Sequence, residues 1–468
     1  MSSNEPRQAV VIIHGIGEQR PMDTLRDFVK AVAGRLETEN GDVSRKAFSK
    51  PDSISPTLEL RRMAVPGDNN RQWQRGDWVT TDFYELYWAH LMTGTSWRHV
   101  TAWAWTLLFQ RPGKVPSRLK VLWRISWALV LIGAGAYVLI ALQGWMNGFW
   151  WPLVVIFVGI TIRLIKSYGT YFGLEYVGDA ARYLSPTPAN VAVRQAIRSA
   201  AIDLLEGLHD DPTWRRYHRI ILVGHSLGSV IGYDALTHLW QRRHHPPETQ
   251  PLKCGEQPIL DKYERIRKDP TSMIEKPREL QSALWREQRD VGIQWKITDF
   301  VTLGSPLAHA GFLMAANEDD LKERLRQREY PSCPPQANDA RDRQYGKSLL
   351  TTKTRCKLLH HAAPFACTRW TNLYFDRDFI GGRIDDLGPI DDLGLIDDLG
   401  HWIDNKLVPP DGLFPHTRYW RDKKKVTALL AALDLKDWWT EENSSIALAA
   451  QARDSALLKS EQPQISPG

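Results

Sequence analysis

The pentapeptide at 224–228, G-H-S-L-G, places one serine between two glycines. It follows the apolar run 220–223 and precedes a stretch with helical periodicity that starts at Leu227. A serine in the pattern G-x-S-x-G, on a sharp turn from a strand into a helix, exposes its hydroxyl for nucleophilic attack. Glycine is expected at both ends because a Cβ would crowd the turn. The sequence therefore predicts Ser226 as a nucleophile, whereas the pentapeptide alone would indicate only a loop.

The oxyanion formed by such an attack requires fixed N–H donors, and the residue after the nucleophile, Leu227, supplies one. A second candidate follows the apolar run 9–13, where His14 and Gly15 precede Ile16. This resembles the lipase and esterase branch of the α/β hydrolases, in which a His-Gly pair ends a strand and the next N–H lines the oxyanion hole. The resemblance implies that role for Ile16. From the residues alone, a glycine turn beside a hydrogen-bonded His14 remains the alternative.

In that fold the acid and then the histidine follow the serine. Residues 370–375 (W-T-N-L-Y-F) are predicted as a late strand, and Asp376 and Asp378 come after it. The segment resembles one in lipase-like bacterial hydrolases and in relatives of the inositol deacylases that act on lipid anchors, where such a strand leads to Asp-x-Ile/Val-x-Gly. The resemblance implies Asp378 as the acid. Those relatives usually have proline where Phe379 stands, so Asp376 remains an alternative.

The segment 414–420 (F-P-H-T-R-Y-W) resembles the family's histidine followed by an aromatic pair, which implies His416 as the base. Two other histidines, His360 and His361, precede the acid and break the expected order, and His401 abuts a repeat. The segment 302–307 resembles the one that follows the strand after the nucleophile helix in lipases. We interpret its serine, Ser305, as a turn residue.

These resemblances imply an α/β-hydrolase fold, with a mostly parallel sheet flanked by helices, and a Ser-His-Asp triad that cleaves carboxylic esters through an acyl-enzyme. They imply neither a metal nor an organic cofactor. Two other functions fit the same residues. One is a catalytically silent membrane scaffold that keeps the fold for binding, and the other is an amidase or peptidase with an unchanged triad.

The chain carries no charged residue from 125 to 162. We predict two helices, at about 125–142 and 149–165, each at the short end of the roughly 17 to 25 residues that a spanning helix needs. Basic residues flank the pair on both sides and the connecting turn is uncharged, which favours a transmembrane hairpin with the catalytic domain facing the cytoplasm. A re-entrant hairpin remains possible. A buried soluble hairpin is disfavoured because polar residues do not recur at helical spacing.

The composition limits the partners. The net charge of +6 comes from 60 basic residues scattered among 54 acidic ones, so no stripe for nucleic acid stands out. Many of the 20 tryptophans lie near the hairpin, as expected at a bilayer interface. We therefore expect a lipid bilayer and a lipid-like ester as partners.

The four cysteines lack metal-binding spacings and indicate reduced thiols in the cytoplasm, and an early first strand leaves no room for a signal peptide.

The chain is expected to divide into a first part of the hydrolase domain (1–100), the hairpin insertion (101–170), the remainder of the domain (171–440) and a weakly ordered tail (441–468). A polar segment at 241–294 is expected as an insertion near the active-site face.

The predicted strands are 9–13, 82–88, 220–223, 297–303 and 371–375, and the predicted helices outside the hairpin are 23–39, 189–208, 227–240 and 423–433. The repeat Ile-Asp-Asp-Leu-Gly at 384, 390 and 396 indicates an expanded surface loop rather than an ion-binding one.

Overall fold

The computed structural model of the 468-residue chain describes the following residues: 7–15, 20–40, 46–54, 61–67, 78–92, 109, 120–142, 159, 183, 188–210, 217–244, 252–253, 255–268, 276–338, 357–376, 378, 380–388, 402–409, 416, 418–420 and 423–436. Within these residues lie one large sheet and the helices that cover its two faces.

The sheet has eight strands in the order β2-β3-β4-β1-β5-β6-β7-β8. Strands β4, β1, β5, β6, β7 and β8 run parallel, and β2 and β3 join the β4 edge antiparallel. The bounds are β1 Arg7–Ile13, β2 Phe48–Pro51, β3 Arg61–Val65, β4 Thr80–Leu86, β5 Arg219–His225, β6 Ile297–Leu303, β7 Arg369–Tyr374 and β8 Ile403–Leu407.

The helices are α1 Asp23–Asn40, α2 Lys120–Leu142, α3 Pro188–Asp210, α4 Leu227–Arg243, α5 Pro258–Lys268, α6 Pro277–Val291, α7 Glu318–Arg326 and α8 Lys423–Leu433, with a short helical turn at Ala310–Leu313. Helices α1 and α8 pack on one face of the sheet, and α3, α4 and α6 pack on the other. The expectation of an α/β architecture with a mostly parallel sheet flanked by helices is therefore confirmed.

The central strands carry mostly apolar residues toward both faces because both faces of the sheet are covered. Successive side chains of a strand point to opposite faces, so Val11 and Ile13 of β1 join the core under α3 and α4, while Val10 and Ile12 join the core under α1 and α8. The continuous apolar runs in β1 and β5 could therefore be predicted as strands, and the parallel pairing of β1, β5 and β6 places their carboxyl ends side by side.

The described part of the segment 241–294, which was predicted as a polar insertion near the active-site face, is largely helical. It contains α5 and α6, which bury Leu260 and Tyr263 from the first helix and Leu284 and Trp285 from the second. Exposed charged residues, such as Arg265 and Lys268 of α5 and Glu279 and Asp290 of α6, alternate with these buried ones, so the amphipathic pair looks polar in the sequence.

The repeat at 384–400, which was predicted as a surface loop, is described in its first copy, where Asp385 and Asp386 are exposed. Its first copy buries Ile384 and Leu387 in the core, the Leu387 carbonyl accepts from the N–H of Cys333, and Asp386 accepts from the N–H of Gly311 at 3.3 Å. The second and third copies lie outside the described residues. The isoleucine and leucine of the first copy therefore pack this loop against the core.

The first expected hairpin helix lies within α2, which is 23 residues long. Four apolar side chains on it are exposed, with Val130, Leu131, Ile132 and Val138 between 45% and 65% accessible, while Trp123 and Trp127 are half-buried. Across the described part of the chain, no helix combines the length and apolarity needed to cross a membrane. Of the second expected helix, 149–165, only residue 159 is described, and the tail at 441–468 lies outside the described residues.

Candidate active site

Ser226 lies on the turn between β5 and α4, at the carboxyl edge of the sheet. Its backbone has φ 52° and ψ −127°, a conformation that L-residues rarely adopt. The two flanking glycines permit the tight packing of this turn. A Cβ on Gly224 would lie 2.4 Å from Ser229 Cα, and one on Gly228 would lie 2.1 Å from the Ile13 carbonyl oxygen. The expected strand, turn and helix around Ser226 are therefore present, and so is the crowding that requires glycine.

His416 follows β8 and lies next to Ser226 although it is 190 positions away in the sequence. Its Nε2 is 2.9 Å from the Ser226 hydroxyl oxygen, and its Nδ1 is 2.7 Å from Oδ2 of Asp378. An ionised carboxylate can only accept, so Nδ1 carries the proton and Nε2 is free to accept from the serine hydroxyl. This is the tautomer that a general base for Ser226 requires.

Asp378 is buried just beyond β7, and the N–H of Ile380 and the hydroxyl of Tyr419 also donate to its carboxylate, at 3.0 and 3.1 Å. Burial raises the pKa of this carboxyl, but His416 and the N–H groups of Gly381 and Ile380 outweigh burial, so that the pKa lies below its usual value. The carboxylate is therefore kept ionised.

The alternative acid, Asp376, is exposed. Of the alternative bases, His360 is buried elsewhere, where it contacts the Gln336 carbonyl and the Ala362 N–H, His361 is exposed, and His401 lies outside the described residues. The structure thus brings together Ser226, His416 and Asp378 and leaves the described alternatives apart from them.

Of the two expected oxyanion donors, Leu227 is described and Ile16 lies outside the described residues. Leu227 begins α4, so its N–H belongs to the first turn, where helix N–H groups lack partners within the helix. Gly15, at the end of β1, lies against Ser226, since a Cβ on it would be 3.0 Å from Ser226 Cβ. It is the last described residue before Ile16.

His14 has the hydrogen-bonded position that the alternative interpretation expected. Its Nδ1 is 2.7 Å from the Gly15 carbonyl oxygen, and its Nε2 accepts from the Trp88 N–H at 3.3 Å. Burial is the main reason that its pKa falls to about 4, so the ring is neutral. Its role is to fix the end of β1 against Trp88, whose indole stacks on the imidazole.

Two residues that sequence reasoning left without a role support the base. His225 Nε2 donates to the His416 carbonyl at 2.9 Å, and burial, reinforced by His416, lowers its pKa to about 3. Tyr419 is buried against Phe375 and binds Asp378. The signals were present, because His225 fills a variable position of the G-x-S-x-G pattern and Tyr419 belongs to the aromatic pair after His416. Their partners, however, become visible only in the folded chain.

Ser305 follows β6 and caps the 3₁₀ turn Pro306–His309, accepting from the Leu307 N–H at 3.2 Å. Its interpretation as a turn residue is confirmed. Among the described residues, no cluster of three His, Cys, Asp or Glu side chains could hold a metal ion. The described cysteines, Cys333 and Cys367, are free thiols, and burial raises the pKa of each.

Comparison with protein-family models, with curated proteins and with solved structures finds no match to this chain.

Proposed function

We propose that this chain is a serine hydrolase of the α/β-hydrolase fold that cleaves carboxylic esters. The observation that carries the proposal is the continuous hydrogen-bonded path from Ser226 through His416 to Asp378, at the carboxyl edge of the sheet. The strained backbone of Ser226 supports it, because residues held in such conformations are concentrated at functional sites.

In the proposed reaction, the Ser226 hydroxyl oxygen attacks the ester carbonyl carbon while its proton moves to Nε2 of His416. Asp378 stabilises the imidazolium that forms, and the N–H groups of Leu227 and Ile16 bind the oxyanion. The bond to the alcohol then breaks, and the alcohol leaves with the proton from His416. Water, deprotonated by the same histidine, hydrolyses the acyl-enzyme and restores Ser226.

We also propose that the protein attaches to a bilayer through the hairpin that contains α2, with the catalytic domain on the cytoplasmic side. The exposed apolar side chains of Leu131 and Val138 support this, because water-exposed residues of that size on one helix are unfavourable unless a partner covers them. A lipid-like or amphipathic ester is the substrate class that an enzyme in this location would meet.

The test is labelling of the full-length protein with a fluorophosphonate probe, followed by hydrolysis of p-nitrophenyl esters. We expect the wild type to label and to hydrolyse, and Ser226→Ala to lose labelling and on the order of 10⁶ in kcat. Ser282→Ala is the matched control, since Ser282 is a partly covered serine on α6 whose hydroxyl donates to the Arg278 carbonyl. It should label as the wild type does.

Labelling that persists in folded Ser226→Ala would refute the assignment of Ser226 as the nucleophile. A folded wild type that neither labels nor hydrolyses any ester would favour a silent scaffold, and turnover of amides but not esters would favour an amidase or peptidase.

A further inference from the structure

A chain of buried hydroxyl groups ends on the carbonyl of Ser226. Ser229 Oγ is 2.6 Å from the Ser226 carbonyl oxygen, and Ser305 Oγ is 2.6 Å from Ser229 Oγ. The Leu307 N–H is 3.2 Å from Ser305 Oγ. Ser229 and Ser305 are both fully buried, so these contacts take the place of water.

The direction of each hydrogen bond follows from the number of protons. A carbonyl oxygen only accepts, so Ser229 uses its single hydroxyl proton on the Ser226 carbonyl. Ser229 must then accept from Ser305, which uses its own proton on Ser229 and accepts from the Leu307 N–H. The Leu307 N–H and the hydroxyls of Ser305 and Ser229 therefore form a series of hydrogen bonds that ends on the Ser226 carbonyl.

That peptide group joins Ser226 to Leu227. The Ser226 carbonyl accepts from the Ser229 hydroxyl and also from the Ser229 N–H at 2.9 Å. A trans peptide is planar, with its N–H opposite its C=O. Two donors that hold the Ser226 carbonyl therefore also fix the direction of the Leu227 N–H, which points away from α4.

The preceding peptide group of Ser226 is fixed as well. The Ser226 N–H donates to the Leu303 carbonyl at 3.0 Å, at the end of β6. A residue with φ 52° retains this strained conformation only where its surroundings determine it. Hydrogen bonds hold both the N–H and the carbonyl of Ser226 in this conformation. Those on the carbonyl side come from Ser229, which Ser305 in turn contacts.

We propose that Ser229 and Ser305 are positioning residues that aim the Leu227 N–H at the oxyanion. This inference rests on the proposed function and deepens it. An oxyanion donor contributes most when the negative charge has formed, so misalignment should raise the barrier without weakening substrate binding.

The first test compares Ser229→Ala and Ser305→Ala with Thr237→Val, using p-nitrophenyl ester kinetics. Thr237 is the matched control because it is a buried hydroxyl residue of the same helix, and its hydroxyl donates to the Tyr233 carbonyl at 2.8 Å. Removal of an oxyanion donor costs about 10² to 10³ in kcat, so we expect a loss of roughly 10-fold or more for Ser229→Ala. Ser305→Ala should lose less, since Ser229 can still donate, and KM should change little in both.

The second test measures inhibition by a trifluoromethyl ketone with the acyl chain of the best ester substrate. Its adduct with Ser226 carries a tetrahedral oxyanion, so its affinity reports the donors directly. We expect affinity to fall with kcat in Ser229→Ala and Ser305→Ala and to stay at the wild-type level in Thr237→Val. A purely structural role for the hydroxyls would lower the amount of folded enzyme and leave this affinity unchanged.

The outcomes separate the two proposals. A wild type that shows neither labelling nor hydrolysis refutes the proposed function itself. An active wild type, with kcat and inhibitor affinity in Ser229→Ala equal to those in Thr237→Val, refutes the positioning role alone. If Ser229→Ala does not fold, Ser305→Ala decides, and wild-type kcat in that variant would overturn the inference.

Discussion

Asp378 shows how one side chain sets the chemistry of its neighbours. A buried carboxylate is costly unless donors compensate for the lost water, and here His416, Tyr419 and the Ile380 N–H do so. With the carboxylate ionised and His416 Nδ1 bound to it, Nε2 is left to accept from the serine. The tautomer of His416 therefore depends on the hydrogen bonds that other groups donate to the Asp378 carboxylate.

We expect Asp378→Asn to lower kcat by about 10⁴, because an amide in this position stabilises the wrong histidine tautomer. Asp376→Asn is the control, since Asp376 is exposed and should retain near wild-type turnover. Steady-state ester hydrolysis measures both. An inactive Asp376→Asn with an active Asp378→Asn would assign the acid to the other aspartate.

Glu85, at the end of β4, should make stability depend on pH. It accepts from the Met22 N–H at 2.6 Å, and burial is the main reason that its pKa rises to about 7, with Asp23 adding to the rise and Arg26 opposing it. Since a glutamate in an unfolded chain titrates at about 4.3, folding binds a proton and becomes less favourable as pH rises through this interval.

Glu85→Gln keeps the hydrogen-bond acceptor and removes this loss. We expect its unfolding free energy to increase relative to the wild type between pH 5 and pH 8, by roughly 1 to 3 kcal/mol in urea denaturation. Asp27→Asn, at an exposed position of α1, is the control variant. Parallel pH profiles for Glu85→Gln and the wild type would contradict the expectation.

The triad residues were accessible from the sequence because their order along the chain and the strands before them are local features. The supporting residues were not. Ser229 and Ser305 are 76 positions apart and His225 and His416 are 191 apart, so their hydrogen bonds depend on how the strands pair. A serine in a helix or a histidine next to the nucleophile carries no local sign of such a partner.

At the scale of elements, the packing of α4 against the end of β1 depends on Gly228. A Cβ there would lie 2.1 Å from the Ile13 carbonyl oxygen, a backbone atom that cannot move without shifting the strand. We expect Gly228→Ala to destabilise the protein by at least about 3 kcal/mol and to abolish ester hydrolysis. Thermal and urea denaturation measure the first effect.

Gly34→Ala is the control for Gly228→Ala, because an added methyl group has space there. Gly34 lies in α1 with no atom within 4 Å of an added Cβ, and alanine in a helix is favoured over glycine by about 0.5 to 1 kcal/mol. A small gain in stability is expected. Similar stability changes in the two variants would show that the close approach at Gly228 does not control this packing.

The same scale shows where sequence patterns failed. Strands β1, β4, β5, β6 and β7 were predicted, within a few residues, because each contains large apolar or aromatic residues that the covering helices bury. The unpredicted strands β2, β3 and β8 lie at or near the sheet edges, where Phe48–Pro51 is wholly exposed and Ile403–Leu407 carries three polar residues. Edge strands need little apolar surface, so composition does not distinguish them from loops.

At the scale of the whole molecule, the apolar surface of α2 should control where the protein resides. We expect the wild type to float with anionic liposomes and to stay bound in high salt, because salt screens charges but does not weaken hydrocarbon burial. Leu131→Glu with Val138→Glu should lose flotation, since both side chains are exposed and lie two helical turns apart. Val191→Glu, at an exposed position on α3, should still float.

Replacement of residues 121–166 by a Gly/Ser linker completes this test. The variant should remain soluble, stay off the liposomes and label at Ser226, because the sheet strands lie outside the replaced segment. A wild type that stays unbound would refute membrane attachment. A replaced variant that misfolds would assign these residues to the core.

The proposed nucleophile and its base are made at different times during synthesis of the chain. Ser226 and His416 are 190 positions apart, so at about 5 to 20 residues per second a ribosome makes the nucleophile roughly 10 to 40 s before the base. The α2 segment is translated before either. On the proposed function, a nascent chain would meet the bilayer before Ser226 has its base, and ester cleavage would begin only after His416 has been made.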